Sequence, residues 1–113
     1  MADLAKKKGK RVAVGLEVDL VQDGEYIVAY CPSLELSSFG KTNKEAKASF
    51  EEALNIFMEY CLEHGTLEKN LLNLGWSLRK LPTAKYEPPK IKAGKYPLKA
   101  LRSSFKERVL IPV

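Results

Sequence analysis

Residues 30–45 read YCPSLELSSFGKTNKE, and the punctuation inside this stretch decides the fold. The segment that enters it, EYIVAYC from Glu25, is rich in aromatic and β-branched residues and reads as a strand. Pro32 stops that strand, because proline has no N–H to give to a ladder. Leu34 and Leu36 turn back toward the sheet, LELSSFG forms a short third strand, and Gly40 ends it. Thr42 and Glu45 then have the spacing of a capping box, in which the hydroxyl and the carboxylate each satisfy a free backbone N–H at a helix start. The question is what such a corner is for: a reactive Cys31 would mark an enzyme, a shaped surface a binding module.

Upstream, RVAVGLEVDLVQ alternates, with Val12, Val14, Leu16, Val18 and Leu20 on one face, the pattern of a half-buried strand. Asp23-Gly24 signals a hairpin with a type I′ turn, where glycine carries no penalty for positive φ. Downstream, Ala46, Phe50, Ala53, Phe57 and Cys61 recur at helical spacing, with Leu54 beside them. Glu51, Glu52, Glu59 and Glu63 lie off this stripe, and Gly65 suits the left-handed position past the helix end. The spacing predicts a helix over Asn43–His64. TLEKNLLNLG predicts a short second helix capped by Thr66 and closed by Gly75, and WSLRKL a fourth strand.

After Leu81 the character changes. Five of the six prolines lie here, at Pro82, Pro88, Pro89, Pro97 and Pro112, so no continuous structure is expected before Pro97. Leu98, Leu101, Phe105 and Val109 have helical spacing, while Phe105, Val109 and Ile111 suit a strand. A strand near Phe105–Ile111 is preferred, with a preceding helix optional. The organisation expected is a basic disordered arm (1–10), an α+β domain of order β-β-β-α-(short α)-β (11–80), and a basic proline-rich extension ending in a strand (81–113).

Composition sets further bounds. A chain of 113 residues, 45% hydrophobic and 29% charged, matches an ordinary soluble domain that buries a core without disulfides or metal. No apolar run reaches the ~18 residues of a membrane span. The N-terminus is basic without an apolar segment, so no secretory signal is expected, and the cytoplasm is the simplest location. Charge is unevenly spread: the first eleven residues carry +4, residues 12–80 carry −5, and residues 81–113 carry +6. An acidic body suits a basic partner, and basic ends suit phosphate or another anionic surface.

Catalytic signatures are sparse. Cys31 would need a base or a lowered pKa to act as a nucleophile. The chain's single histidine, His64, lies beyond the long helix with no Cys/His motif around it. Cys31 and Cys61 read as packing residues. Glu17 and Asp19 share one strand face but lie among Ala13 and Gly15, where solvent exposure explains them. No ligand spacing for a metal and no glycine-rich phosphate cradle occurs, so neither metal nor cofactor is expected. Lys85, Lys90, Lys92, Lys95 and Lys99 are interleaved with Tyr86 and Tyr96, a pattern that can stack bases and contact phosphates of a single strand.

The order of these parts is similar to that of the HicB-like antitoxin family. The Tyr-rich strand Tyr26–Tyr30, Cys31-Pro32-Ser33-Leu34, the small-residue strand Ser37–Gly40 and the helix start Thr42–Ala46 carry the resemblance, which spans roughly Val12–Lys80. The resemblance implies an incomplete ribonuclease H fold without its catalysis, and binding to HicA, a small basic mRNA-cleaving toxin. The DNA-binding C-terminal domain common in the family has no counterpart in the proline-rich tail, and the turn lacks the family's Pro-Gly-Cys ending. The function expected is a non-enzymatic antitoxin acting by direct protein contact. The contact set expected is Tyr26, Tyr30, Pro32, Ser33, Leu34, Glu35, Ser37 and Phe39. The alternative is an orphan HicB-like module that binds single-stranded nucleic acid through Lys90, Lys92, Lys95, Tyr96 and Lys99. The terminal RVLIPV, a lone strand after a linker, gains most by adding to a sheet edge, its own or a neighbour's, and a homo-oligomer is expected.

Overall fold

A computed structural model describes residues 11–80, 82–90 and 100–112. The arm 1–10 and residues Lys92, Lys95, Tyr96 and Lys99 lie outside the described residues. The elements are β1 (Arg11–Asp23), β2 (Tyr26–Cys31), β3 (Leu36–Gly40), α1 (Asn43–His64), α2 (Leu67–Asn73), β4 (Ser77–Arg79), β5 (Lys85–Glu87) and β6 (Leu101–Pro112). The fold is mixed α+β: an antiparallel sheet of order β3-β2-β1-β6, and a small antiparallel pair β4-β5.

β1 and β2 form the expected hairpin, but the turn differs from expectation. Asp23 pairs with Tyr26, so the loop is Gly24-Glu25 and glycine occupies its first position. Gly24 has φ 61° while Glu25 is not in the left-handed region, so a type I′ turn, which needs both, does not form. β1 buries Val14, Leu16, Val18 and Leu20 on one face, as the alternation predicts.

α1 begins with half of the expected capping box: Thr42 Oγ1 accepts from the Glu45 N–H at 3.1 Å, while Glu45 Oε1 reaches one residue further back and accepts from the Lys41 N–H at 3.0 Å instead of from Thr42. It ends at Gly65, φ 64°, with the Gly65 N–H donating to the Leu62 carbonyl and the Thr66 N–H to that of Cys61. That pair of bonds is the Schellman arrangement, which only a residue free of Cβ strain adopts readily. α1 buries Ala46, Phe50, Leu54 and Cys61, whereas Ala53 and Phe57 are only half-buried. The stripe is therefore centred closer to Leu54 than the spacing suggests. Thr66 precedes α2, but its side chain makes no capping hydrogen bond.

The fourth strand forms over Ser77–Arg79, yet it pairs with β5 and stays outside the main sheet. β5 itself is ordered structure between prolines, contrary to expectation, because its central residue Tyr86 is buried. The Tyr86 hydroxyl donates to Glu68 Oε2 at 2.8 Å, and burial together with that carboxylate pushes the phenol up to about 12. The place beside β1 belongs to β6, which runs antiparallel to it over eleven cross-strand pairs from Arg11↔Pro112 to Val21↔Leu101. No helix forms over residues 101–112. Alternation wins there, since Val109 and Ile111 are buried and Phe105 meets Phe50 edge-on at a centroid distance of 6.3 Å. The strand expected to seek an edge finds one within its own chain. No helix among the described residues is long and apolar enough to cross a membrane.

Candidate protein-binding surface

The helix α1 packs on one face of the sheet. The opposite face is set by the alternation: where Leu16, Val18, Ile27 and Ala29 point inward, their neighbours point outward. At the hairpin end, register places Leu101, Val21, Val28 and Phe39 in one row across all four strands. Val21 is buried in this row, while Phe39 is 60% and Tyr26 40% exposed. The Tyr26 and Phe39 rings meet edge-on, with centroids 5.3 Å apart and planes at 81°. Such a pair holds its own geometry, so a partner burying it does not have to order it first.

The next row carries polar chemistry. Asp19 lies opposite Tyr30, which lies opposite Ser37, and Glu17 lies opposite Lys106. Partial burial, and then repulsion from Glu17, push the Asp19 carboxyl above its ordinary range. The two acids thus crowd one another on a face that also presents aromatic area.

The corner after β2 divides. Ser33 and Leu34 are buried, with Ser33 still bordering a small recess; Pro32 is half-buried and Glu35 exposed. Two turn hydrogen bonds, Leu34 N–H to Cys31 carbonyl and Glu35 N–H to Pro32 carbonyl, shape the corner, and Glu35 takes φ 51°. The Ser33 carbonyl accepts from Trp76 Nε1 at 2.8 Å, which locks the corner to the segment following α2. Sequence reasoning gave Trp76 no such role, because nothing local links positions so far apart. Of the expected contact set, Tyr26, Glu35, Ser37 and Phe39 are exposed and Tyr30 is half-buried. Beside the corner, Gly15, Glu17, Pro32, Ser33, Pro88, Pro89 and Lys106 line a recess of about 200 Å³.

Cys31 is fully buried, its Sγ lies 3.4 Å from Ser33 Oγ, and burial pushes the thiol up, away from the thiolate a nucleophile needs. His64 stacks on Tyr60 at 4.1 Å, with its Nδ1 2.8 Å from the Tyr60 carbonyl oxygen. Among the described residues no group of three or more His, Cys, Asp or Glu is placed to hold a metal. Of the residues expected to contact nucleic acid, Lys90 is exposed, and the buried Tyr86 offers no ring face for stacking. Compared with known protein families, curated proteins and solved structures, the chain matches none.

Proposed function

We propose that this chain is a non-catalytic HicB-like antitoxin, acting in the cytoplasm, that neutralises a small basic HicA-type toxin by direct contact through the outer sheet face. The observation that carries this reading is the pairing of exposed aromatic area, Tyr26 and Phe39, with the crowded acids Glu17 and Asp19 on a sheet face that α1 leaves uncovered. Aromatic residues dominate the energetics of protein contacts, and a cation from the partner relieves the repulsion between the acids. The β1-β2-β3 meander followed by a helix on one face supports the reading as far as it goes, while the fourth place in the sheet is taken by β6 from the tail, antiparallel to β1, and not by the strand expected after the helices.

The test is a pull-down and calorimetric titration of the full chain with the short basic protein encoded beside it, if one is present. Phe39→Ala and Tyr26→Ala are each expected to weaken binding by about 2 kcal/mol or more, as central aromatic contacts do. Added salt should slow association, since exposed charges are screened beyond about 10 Å at 0.1 M. Binding of single-stranded RNA through the lysines, with no binding of the neighbouring protein, would replace this reading by that of a nucleic-acid module.

A further inference from the structure

Among the described residues no strand pairs with β6 on the side away from β1. A strand of 12 residues therefore presents backbone N–H and C=O groups along one edge, the arrangement on which an added strand forms. Between this edge and α1 lies a groove of about 410 Å³. Leu54, Met58 and Leu62 from α1 and Val109 from β6 give it an apolar floor, and Glu51 and Glu107 bring two carboxylates into it, with Arg108 at the strand.

Neither carboxylate forms an ion pair among the described residues, and the nearby Lys47 ammonium lies over the Phe105 ring, 4.8 Å from its centroid. Burial, and then the charge and hydrogen bond of Glu51, hold the Glu107 carboxyl above its ordinary range in spite of Lys47. A second copy of β6 answers this poorly. Antiparallel self-pairing centred on residue 106, 107 or 108 sets Lys106, Glu107 or Arg108 opposite its own copy, and like charges directly opposite destabilise a ladder.

We propose that the β6 edge and this groove form a strand-addition site for an extended segment of a protein partner. A lysine or arginine of that segment reaches Glu51 and Glu107, and an apolar side chain two positions away enters the floor between Met58, Leu62 and Val109. Backbone hydrogen bonds to the edge supply affinity, and the alternate side chains supply selection. The site lies on the opposite side of the sheet from Tyr26 and Phe39 and does not depend on the antitoxin reading.

The probe is a fluorescent, end-capped peptide, Thr-Leu-Thr-Lys-Thr-Leu-Thr, titrated into the full chain and followed by anisotropy and by amide NMR shifts. Saturable binding at about 1 mM or below is expected, with shifts concentrated on residues 104–110 and on the Leu54–Met58 part of α1. Replacing the peptide's lysine by glutamate, or the protein's carboxylates by the double variant Glu51→Gln/Glu107→Gln, should weaken binding about tenfold, as loss of a charge-assisted hydrogen bond does. Of two peptides N-methylated on alternate amides, at least one should lose binding. The glutamine variant keeps the shape of the groove, and its melting temperature establishes that it is folded. Failure of the folded full chain to bind, equal affinity in the glutamine variant, or shifts confined to the outer face would each overturn the proposal. Dimerisation through β6 that excludes the peptide would assign the edge to a second copy and overturn it as well.

Discussion

At Gly40 the third strand and the first helix meet with no room for a side chain. A Cβ there would lie 2.6 Å from both the Ala46 nitrogen and Glu45 Cβ, and neither is the movable end of a long side chain. Gly40→Ala is therefore expected to cost about 1–3 kcal/mol, the range for overpacking, measured by urea unfolding. An unchanged midpoint would mean that the strand and helix separate freely. The sequence marks Gly40 as a strand end but carries no sign of this approach, which is set by the packing of the following helix. Trp76 shows the same limit over a longer distance. Its indole N–H satisfies the buried turn at the Ser33 carbonyl. Trp76→Phe keeps most of the apolar area but strands that carbonyl, so a loss of about 1–3 kcal/mol is expected. A loss within error in thermal unfolding would show that water replaces the indole.

At the scale of elements, α1 was the most legible part of the chain, because the capping box, the apolar period and Gly65 agree with one another. The centre of its buried face was less legible, since spacing alone does not rank Leu54 against Phe57. Phe50, fully buried, should lose about 3–5 kcal/mol as Phe50→Ala. Phe57→Ala, half-buried, should lose roughly half of that, and Glu52→Ala no more than about 0.5 kcal/mol. Equal losses at Phe50 and Phe57 would place the stripe back on the wheel position that spacing predicts. β6 was ambiguous for a physical reason: Leu101, Phe105 and Val109 fit a helical period, and pairing with β1 decides the matter in favour of a strand. That pairing also turns Glu107 toward Glu51. The native state holds the Glu107 proton more tightly than the unfolded chain does, so this carboxyl penalises folding as pH rises from the ordinary carboxylate range through its raised value. Glu107→Gln should then raise Tm at pH 7 and lose that advantage near pH 4. A variant less stable at pH 7 would show that the ionised carboxylate has a favourable partner.

For the whole molecule, the sequence divides most naturally where the prolines begin, and there the three-dimensional connections run against the composition. β1 shares only five cross-strand pairs with β2, from Asp19↔Tyr30 to Asp23↔Tyr26. Its first half, through Val18, pairs only with β6 among the described strands. Contacts between residues so distant in sequence leave no local period to read, which is why the tail resembles a linker. The acidic body taken alone, residues 12–80, would therefore expose the β1 edge and uncover the groove side of α1. It would also lose the burial of Tyr86, Val109 and Ile111. Each large apolar side chain contributes about 1.5–3 kcal/mol when fully buried, against a total stability of about 5–15 kcal/mol for a typical domain. Removal of residues 81–113 should thus abolish cooperative unfolding. Removal of residues 1–10, which precede β1, should leave Tm within a few degrees of the full chain. The comparison needs circular dichroism melts of both truncations at equal concentration. A 12–80 fragment that melts cooperatively near the full-length Tm would show that the basic tail is an appendage, and that β6 adds to the sheet without holding it together.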